Sequence, residues 1–115
     1  MTDLPLTTVE IAPTGSVRSS VIWMHGLGAD AHDFEPIVPE LRLPEALGVR
    51  FVFPNAPVRP VTINNGMRMR AWYDVLSLDL PRQEDPEGVY ASERAIDALL
   101  EREKQRGVSA EHIVL

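Results

Sequence analysis

The stretch that decides the fold is VIWMHGLGADAHDF, residues 21–34. Four apolar residues run into His25-Gly26-Leu27-Gly28, and two aspartates and a second histidine follow before Phe34. A short continuous apolar run suits a strand buried on both faces of a parallel sheet. Glycines directly after it call for a sharp turn. Phe34, Ile37, Val38 and Leu41 then recur at i, i+3, i+4 and i+7, the spacing of one helical face. Asp30 or Asp33 is the expected N-cap. Pro36 is tolerable in a first turn, whereas Pro39 should kink or shorten the helix.

Working outward, Leu6–Ile11 alternates in polarity and is rich in β-formers, which predicts a half-buried strand. Arg50-Phe51-Val52-Phe53 predicts another, ending at Pro54. Asn65-Gly66 marks a hairpin turn between 61–63 and 67–69. Residues 54–74 otherwise lack helical period, and a connection of that length between core elements is usually functional or disordered. Its aromatic and apolar residues argue against disorder. Residues 77–88 read as a surface loop. Val89, Ile96, Leu99 and Leu100 share a face of the next helix, with Glu and Arg on the other side and Gly107 as its C′ residue. Ile113-Val114-Leu115 begins a further strand. The order β, β, α, β, long loop, α, β predicts an α/β fold with crossover helices on a mostly parallel sheet.

Composition narrows the functions. The chain has 115 residues, enough for a single domain, 1–115, with a modest core. Its 17 acidic and 11 basic side chains give a net charge of −6, so a polyanion such as nucleic acid is not an expected partner. It has no cysteine, which excludes disulfides, thiolate metal sites and cysteine nucleophiles. No apolar run reaches the roughly 18 residues of a membrane span. The first ten residues lack the basic start and apolar core of a signal peptide. A soluble cytoplasmic protein is expected. Residues 50–75 carry Arg50, Arg59, Arg68 and Arg70 against Asp74 alone, either a solvated loop face or a mildly positive rim beside a binding site.

Three chemistries compete for residues 25–33. His25, Asp30, His32 and Asp33 are all metal-ligand types, but His25 ends a strand while the others open a helix. A phosphate cradle would follow a strand in the same way, yet Gly-x-Gly-x-x-Gly and Gly-x-x-x-x-Gly-Lys-Ser/Thr are both absent, and Lys104 is the only lysine. An oxyanion hole needs backbone N–H groups aimed at developing negative charge. Glycine lets the backbone approach closely and adopt positive φ. A His-Gly-x-x loop after an early strand supplies such a donor in α/β-hydrolases.

The motifs together resemble those of the phospholipase/carboxylesterase family of small serine hydrolases, which includes bacterial carboxylesterases and acyl-protein thioesterases. The residues that carry the resemblance are 21–30, then Phe51-Val52-Phe53-Pro54-Asn55-Ala56-Pro57, Arg59–Gly66 and Ala71-Trp72-Tyr73-Asp74. Pro39 and Arg70-Ala71 depart from the usual pattern. The resemblance implies an α/β-hydrolase fold and hydrolysis of carboxylic esters or thioesters through an acyl-enzyme. It makes residues 54–74 part of the acyl-binding surface.

Among single residues, the resemblance implies that the Leu27 N–H serves the oxyanion. His25, Gly26 and Gly28 shape that turn beside the substrate, with His25 structural rather than a general base. Trp72 and Tyr73 wall the substrate site, Trp72 in one pocket with Leu27, and Asp74 satisfies loop amides. No metal or organic cofactor is implied, the partner is a small ester or thioester, and a homodimer is left open. The family's Gly-x-Ser-x-Gly elbow does not occur. Ser16 follows Gly15 but Arg18 stands where the second glycine belongs, Ser92 has no flanking glycines, and His112 follows no serine elbow. The expectation is the N-terminal portion of a hydrolase domain that ends before its nucleophile. The rival reading is a non-catalytic small-molecule or lipid-binding module, or a remnant of the fold.

Overall fold

The computed structural model describes residues 5–78 and 84–115. The signal-peptide reading of the N-terminus and the middle of the predicted 77–88 loop therefore fall partly outside the described residues. Strands β1 (Thr8–Ile11), β2 (Ser19–Ile22), β3 (Val49–Pro54) and β6 (Ile113–Val114) form one sheet in the order β1-β3-β2-β6. β2 runs parallel to both β3 and β6, and β1 pairs antiparallel with β3. Strands β4 (Val58–Val61) and β5 (Met67–Arg70) form a separate antiparallel hairpin. The single α-helix among the described residues, α1, spans Pro86–Gln105.

Strand periodicity sorts the core into two layers. Ile22 and Val52 point to one face, where they meet Ile96 and Leu99 of α1. Phe51 and Phe53 point to the other, where Val21, Trp23, Phe34 and Val38 cover them. The rings of Trp23 and Phe34 stack at 5.1 Å. Because β3 is covered on both faces, its centre, Phe51-Val52-Phe53, reads as an unbroken apolar run in the sequence. β2 ends at Ile22, two residues sooner than its apolar run suggests, although Trp23 N–H still donates to Val52 O at 2.9 Å.

The helix expected around Phe34–Leu41 is a 3₁₀ helix, Glu35–Leu41. Pro36 and Pro39 have no N–H to donate, which removes the i→i−4 ladder and leaves i→i+3 bonds such as Ile37 N–H to Phe34 O. Phe34, rather than Asp30 or Asp33, occupies the N-cap and makes no side-chain cap bond. Asp30 Oδ1 instead accepts from His32 N–H at 2.8 Å. The hairpin is also displaced from its predicted place. Its first strand is 58–61, and Thr62–Asn64 forms a 3₁₀ turn. Asp74 captures both Thr62 N–H and Thr62 Oγ1–H, at 2.8 and 2.6 Å, and draws that residue out of the ladder. Asn65 and Gly66 do close the turn, at φ 58° and 77°.

Helix α1 begins at Asp85, whose carboxylate accepts Gly88 N–H. It ends in a Schellman pair, Val108 N–H to Glu103 O and Gly107 N–H to Lys104 O. Val89 departs from the expected buried face and is exposed. Glu103 lies on that face, fully buried. It accepts from Ser20 Oγ–H at 2.6 Å, Arg50 Nε–H at 2.8 Å and Arg106 Nη1–H at 2.9 Å. Arg50 is buried with it, so the cationic rim loses a member to the interior.

The same cluster reaches β1. Glu10 accepts from Arg102 at 2.7 Å and from Arg106 at 2.9 Å. The Arg106 hydrogen bond, with the positive charges of Arg106 and Arg102, holds the Glu10 carboxyl below the ordinary glutamate range against the opposing effect of partial burial. A depressed folded-state pKa gives stability that is present above the unfolded value and lost as pH falls through the folded one. For a partly exposed pair the contribution is about 0.2–1 kcal/mol. Unfolding free energies from urea titration of the native protein and of Glu10→Gln should therefore differ by that amount at pH 7 and converge in strong acid. A difference that persists unchanged in acid would mean that Glu10 acts through packing alone.

Candidate active site

The glycine turn lies just past the C-terminal end of β2, where parallel strands of α/β sheets present loops to ligands. Ala29 N–H donates to Gly26 O at 3.2 Å, closing a β-turn with Leu27 and Gly28 at its centre. Gly28 has φ 76°, the positive value that the third residue of a type II turn requires and that a side chain would strain.

His25 anchors this turn from below. Its side chain is buried, Nε2 accepts Ala56 N–H at 3.0 Å, and Nδ1 lies 2.7 Å from Gly26 O. Since Nε2 accepts, Nδ1 carries the proton and donates to that carbonyl. With both ring nitrogens engaged inside the protein, His25 shapes the turn and has no free nitrogen for a substrate proton. Asn55 supports the next segment by accepting Ala31 N–H at 2.8 Å and donating to Thr7 Oγ1 at 3.0 Å.

From the far side, Gly28 N–H donates to Arg70 O at 3.0 Å, and Arg70 Nη1–H donates to Ala56 O at 2.7 Å. The Leu27 N–H meets no acceptor among the described residues, and Leu27 is 47% exposed. An unsatisfied amide at the surface, followed by the bonded amides of Gly28 and Ala29, can receive a substrate oxygen.

Trp72 joins the turn to the core. Its indole N–H donates to His25 O at 2.9 Å, its ring lies 5.4 Å from the imidazole, and its body packs against the Ile22–Val52–Ile96–Leu99 cluster. Ser92 Oγ–H in turn donates to Trp72 O. Met24, Trp72, Tyr73, Val89, Ile96 and Leu115 line an open groove of about 350 Å³. Leu27 is not part of that groove, so Trp72 reaches the turn through its N–H while its apolar face turns to α1. Tyr73 is exposed on the same rim. Asp74 does satisfy loop amides, through Thr62, and its own N–H donates to Asp85 Oδ2 at 2.8 Å. That bond and the one from Gly88 N–H hold the Asp85 carboxyl below its ordinary range.

The other candidates disperse. His32 pairs with Glu35 at the exposed surface, at 2.9 Å. No group of three or more His, Cys, Asp or Glu is placed to hold a metal ion among the described residues. No helix among them is long and apolar enough to cross a membrane. Of the middle arginines, Arg50 is buried, Arg70 serves a backbone carbonyl and Arg59 lies close to Asp85, which leaves Arg68 as the exposed one.

Comparison with known proteins bears on the family and the fold. A family model described as Phospholipase/Carboxylesterase matches residues 7–115. The chain is 35% identical over 113 residues to acyl-protein thioesterase 1 of Yarrowia lipolytica, covering 96% of this chain and 50% of that protein. The crystal structure of Zea mays acyl-protein thioesterase 2 superposes with a TM-score of 0.73 at 32% identity, over 83% of this chain and 40% of that one. Arabidopsis thaliana SOBER1 superposes at 0.77 with 31% identity, over 84% and 47%. The chain thus spans about half the length of the curated relatives it matches. With its motifs, its fold and these relatives in agreement, the chain belongs to the phospholipase/carboxylesterase family, of α/β-hydrolase fold.

Proposed function

We propose that this chain is the oxyanion-bearing part of a serine hydrolase domain that cleaves carboxylic esters or thioesters of small acyl compounds. The observation that carries the reading is the Leu27 N–H, which has no acceptor among the described residues while the amides of Gly28 and Ala29 on its far side are bonded. In the whole protein a serine attacks the acyl carbon, a histidine moves its proton, and an acid orients the histidine. The triad comes from outside residues 1–115, since the chain has no Gly-x-Ser-x-Gly. Tyr73, exposed on the rim beyond Trp72, borders the acyl group, and the Leu27 amide receives the negative charge that develops on the carbonyl oxygen. The acidic charge disfavours nucleic acid as a partner, and the chemistry needs no cofactor. We place the protein in the cytoplasm.

The test has two arms. The native polypeptide that carries these residues should hydrolyse an activated short-chain ester and an acyl thioester, and a fluorophosphonate should label it at a serine. Residues 1–115 expressed alone should give no turnover above the uncatalysed rate, because an oxyanion donor without nucleophile and base has nothing to stabilise. Turnover by the isolated chain that is lost on changing Ser16, Ser77 or Ser92 would place the nucleophile inside it. A native polypeptide that neither hydrolyses nor labels would remove the hydrolase reading.

A further inference from the structure

We infer that Arg70 is a positioning residue for the Leu27 amide, and that the β4–β5 hairpin is the clamp through which it acts. The inference rests on Leu27 as the oxyanion donor. The direction of that N–H is set by the peptide plane between Gly26 and Leu27, in which a trans amide points the N–H opposite to Gly26 C=O. Gly26 O is held by His25 Nδ1–H and by Ala29 N–H. The plane on the other side of Leu27 contains the Gly28 N–H, held by Arg70 O. Fixing both planes fixes the donor.

Arg70 reaches both ends. Its backbone carbonyl takes Gly28 N–H directly. Its guanidinium takes Ala56 O, one Cα away from the Ala56 N–H that orients the His25 ring. A bond from Ala71 N–H to Pro57 O fastens the hairpin beside the same loop. Met69 stands against the inner side of Gly28, with its sulfur 3.6 Å from where a Cβ would be. Arg70 is half-buried and forms no ion pair with a carboxylate among the described residues. In an acidic chain, an arginine spent on a neutral carbonyl at this junction serves alignment. Only a long donor spans from β5 to Ala56 O; glutamine is too short, and lysine offers a charged ammonium donor on a comparable stem.

The experiment uses the native polypeptide, with amide hydrogen exchange read by NMR and kinetics on an activated ester. In the unaltered protein, Gly28 and Ala56 amides should exchange at least about tenfold more slowly than Leu27. Arg70→Gln should speed exchange at Gly28 and Ala56 by about tenfold and leave the α1 amides of Leu99 and Glu103 unchanged. It should lower kcat by about tenfold or more with KM held, and Arg70→Lys should recover most of both losses. Unchanged protection at Gly28 and Ala56 in Arg70→Gln overturns the clamp, as does a KM effect without a kcat effect. If Arg70→Gln fails to fold, the exchange order in the unaltered protein and the behaviour of Arg70→Lys decide. Exchange that responds to Arg70 while Leu27→Pro keeps full activity would instead remove the oxyanion reading and leave the clamp standing.

Discussion

Replacing Leu27 with proline should lower kcat for ester hydrolysis by the native polypeptide about 10²–10³-fold, with KM little changed. Proline has no N–H, so the substitution deletes the donor and nothing else that the turn uses. Position 27 is the second residue of the Gly26–Ala29 turn, and with positive φ at Gly28 this has the type II pattern, which takes proline readily there. Gly26 precedes it and has no Cβ to clash with the ring. The contacts that hold the turn, from His25, Arg70 and Trp72, do not involve the Leu27 N–H. A loss confined to kcat is the mark of an interaction made only in the transition state. Leu27→Ala, which keeps the amide and removes the exposed side chain, should leave kcat within a few-fold and so separates the donor from the side chain. Equal activity of Leu27→Pro and the unaltered protein would sink the assignment.

The tight turn at residues 25–28 was legible in advance because its chemistry is local. A strand that ends in His-Gly-Leu-Gly dictates a tight turn, and the bonding of that turn follows from peptide geometry. The partners that hold it are another matter. Ala56 and Arg70 come from segments 30 and more residues away, and nothing in the stretch itself names them. The same division holds for the fold. The strands at 8–11 and 49–54 were legible from β-branched and aromatic residues, and the helix at 86–105 from its apolar period. Its cap at Asp85 was lost in a polar loop whose prolines and acids all look alike. The 3₁₀ segment at 35–41 shows apolar spacing and proline content in conflict, and proline prevails because a missing N–H cannot be supplied by packing. Trp72 exposes a different limit. A tryptophan after a long loop suits a pocket wall and a core filler equally, and here its body packs while its N–H reaches the turn.

Glu103 is the instructive miss, and it carries the largest expected stability effect. Flanked by Glu101, Arg102 and Lys104, it reads as one more solvated charge, yet it lies seven residues after Ile96 and four after Leu99, on the buried stripe of α1. Ser20 at the start of β2 and Arg50 at the start of β3 face the same point from the sheet, and both are buried. Three elements distant in sequence thus meet on one carboxylate. Glu103→Ala should therefore destabilise the native polypeptide by about 3–5 kcal/mol, because it strands the Arg50 guanidinium, 6% exposed, without its anion. That is a large share of the roughly 5–15 kcal/mol by which domains are stable. The double substitution Arg50→Met with Glu103→Leu removes both charges and replaces them with apolar volume, and it should recover most of the loss, since a buried pair repays little more than its own desolvation. Urea unfolding of the unaltered protein, Arg50→Met, Glu103→Leu and the double variant closes a cycle that measures the coupling directly. A single substitution that costs less than about 1 kcal/mol would show that water reaches Arg50 when Glu103 is gone. A double variant as unstable as the single would show that the pair itself, rather than relief of a stranded charge, fastens α1 to the sheet.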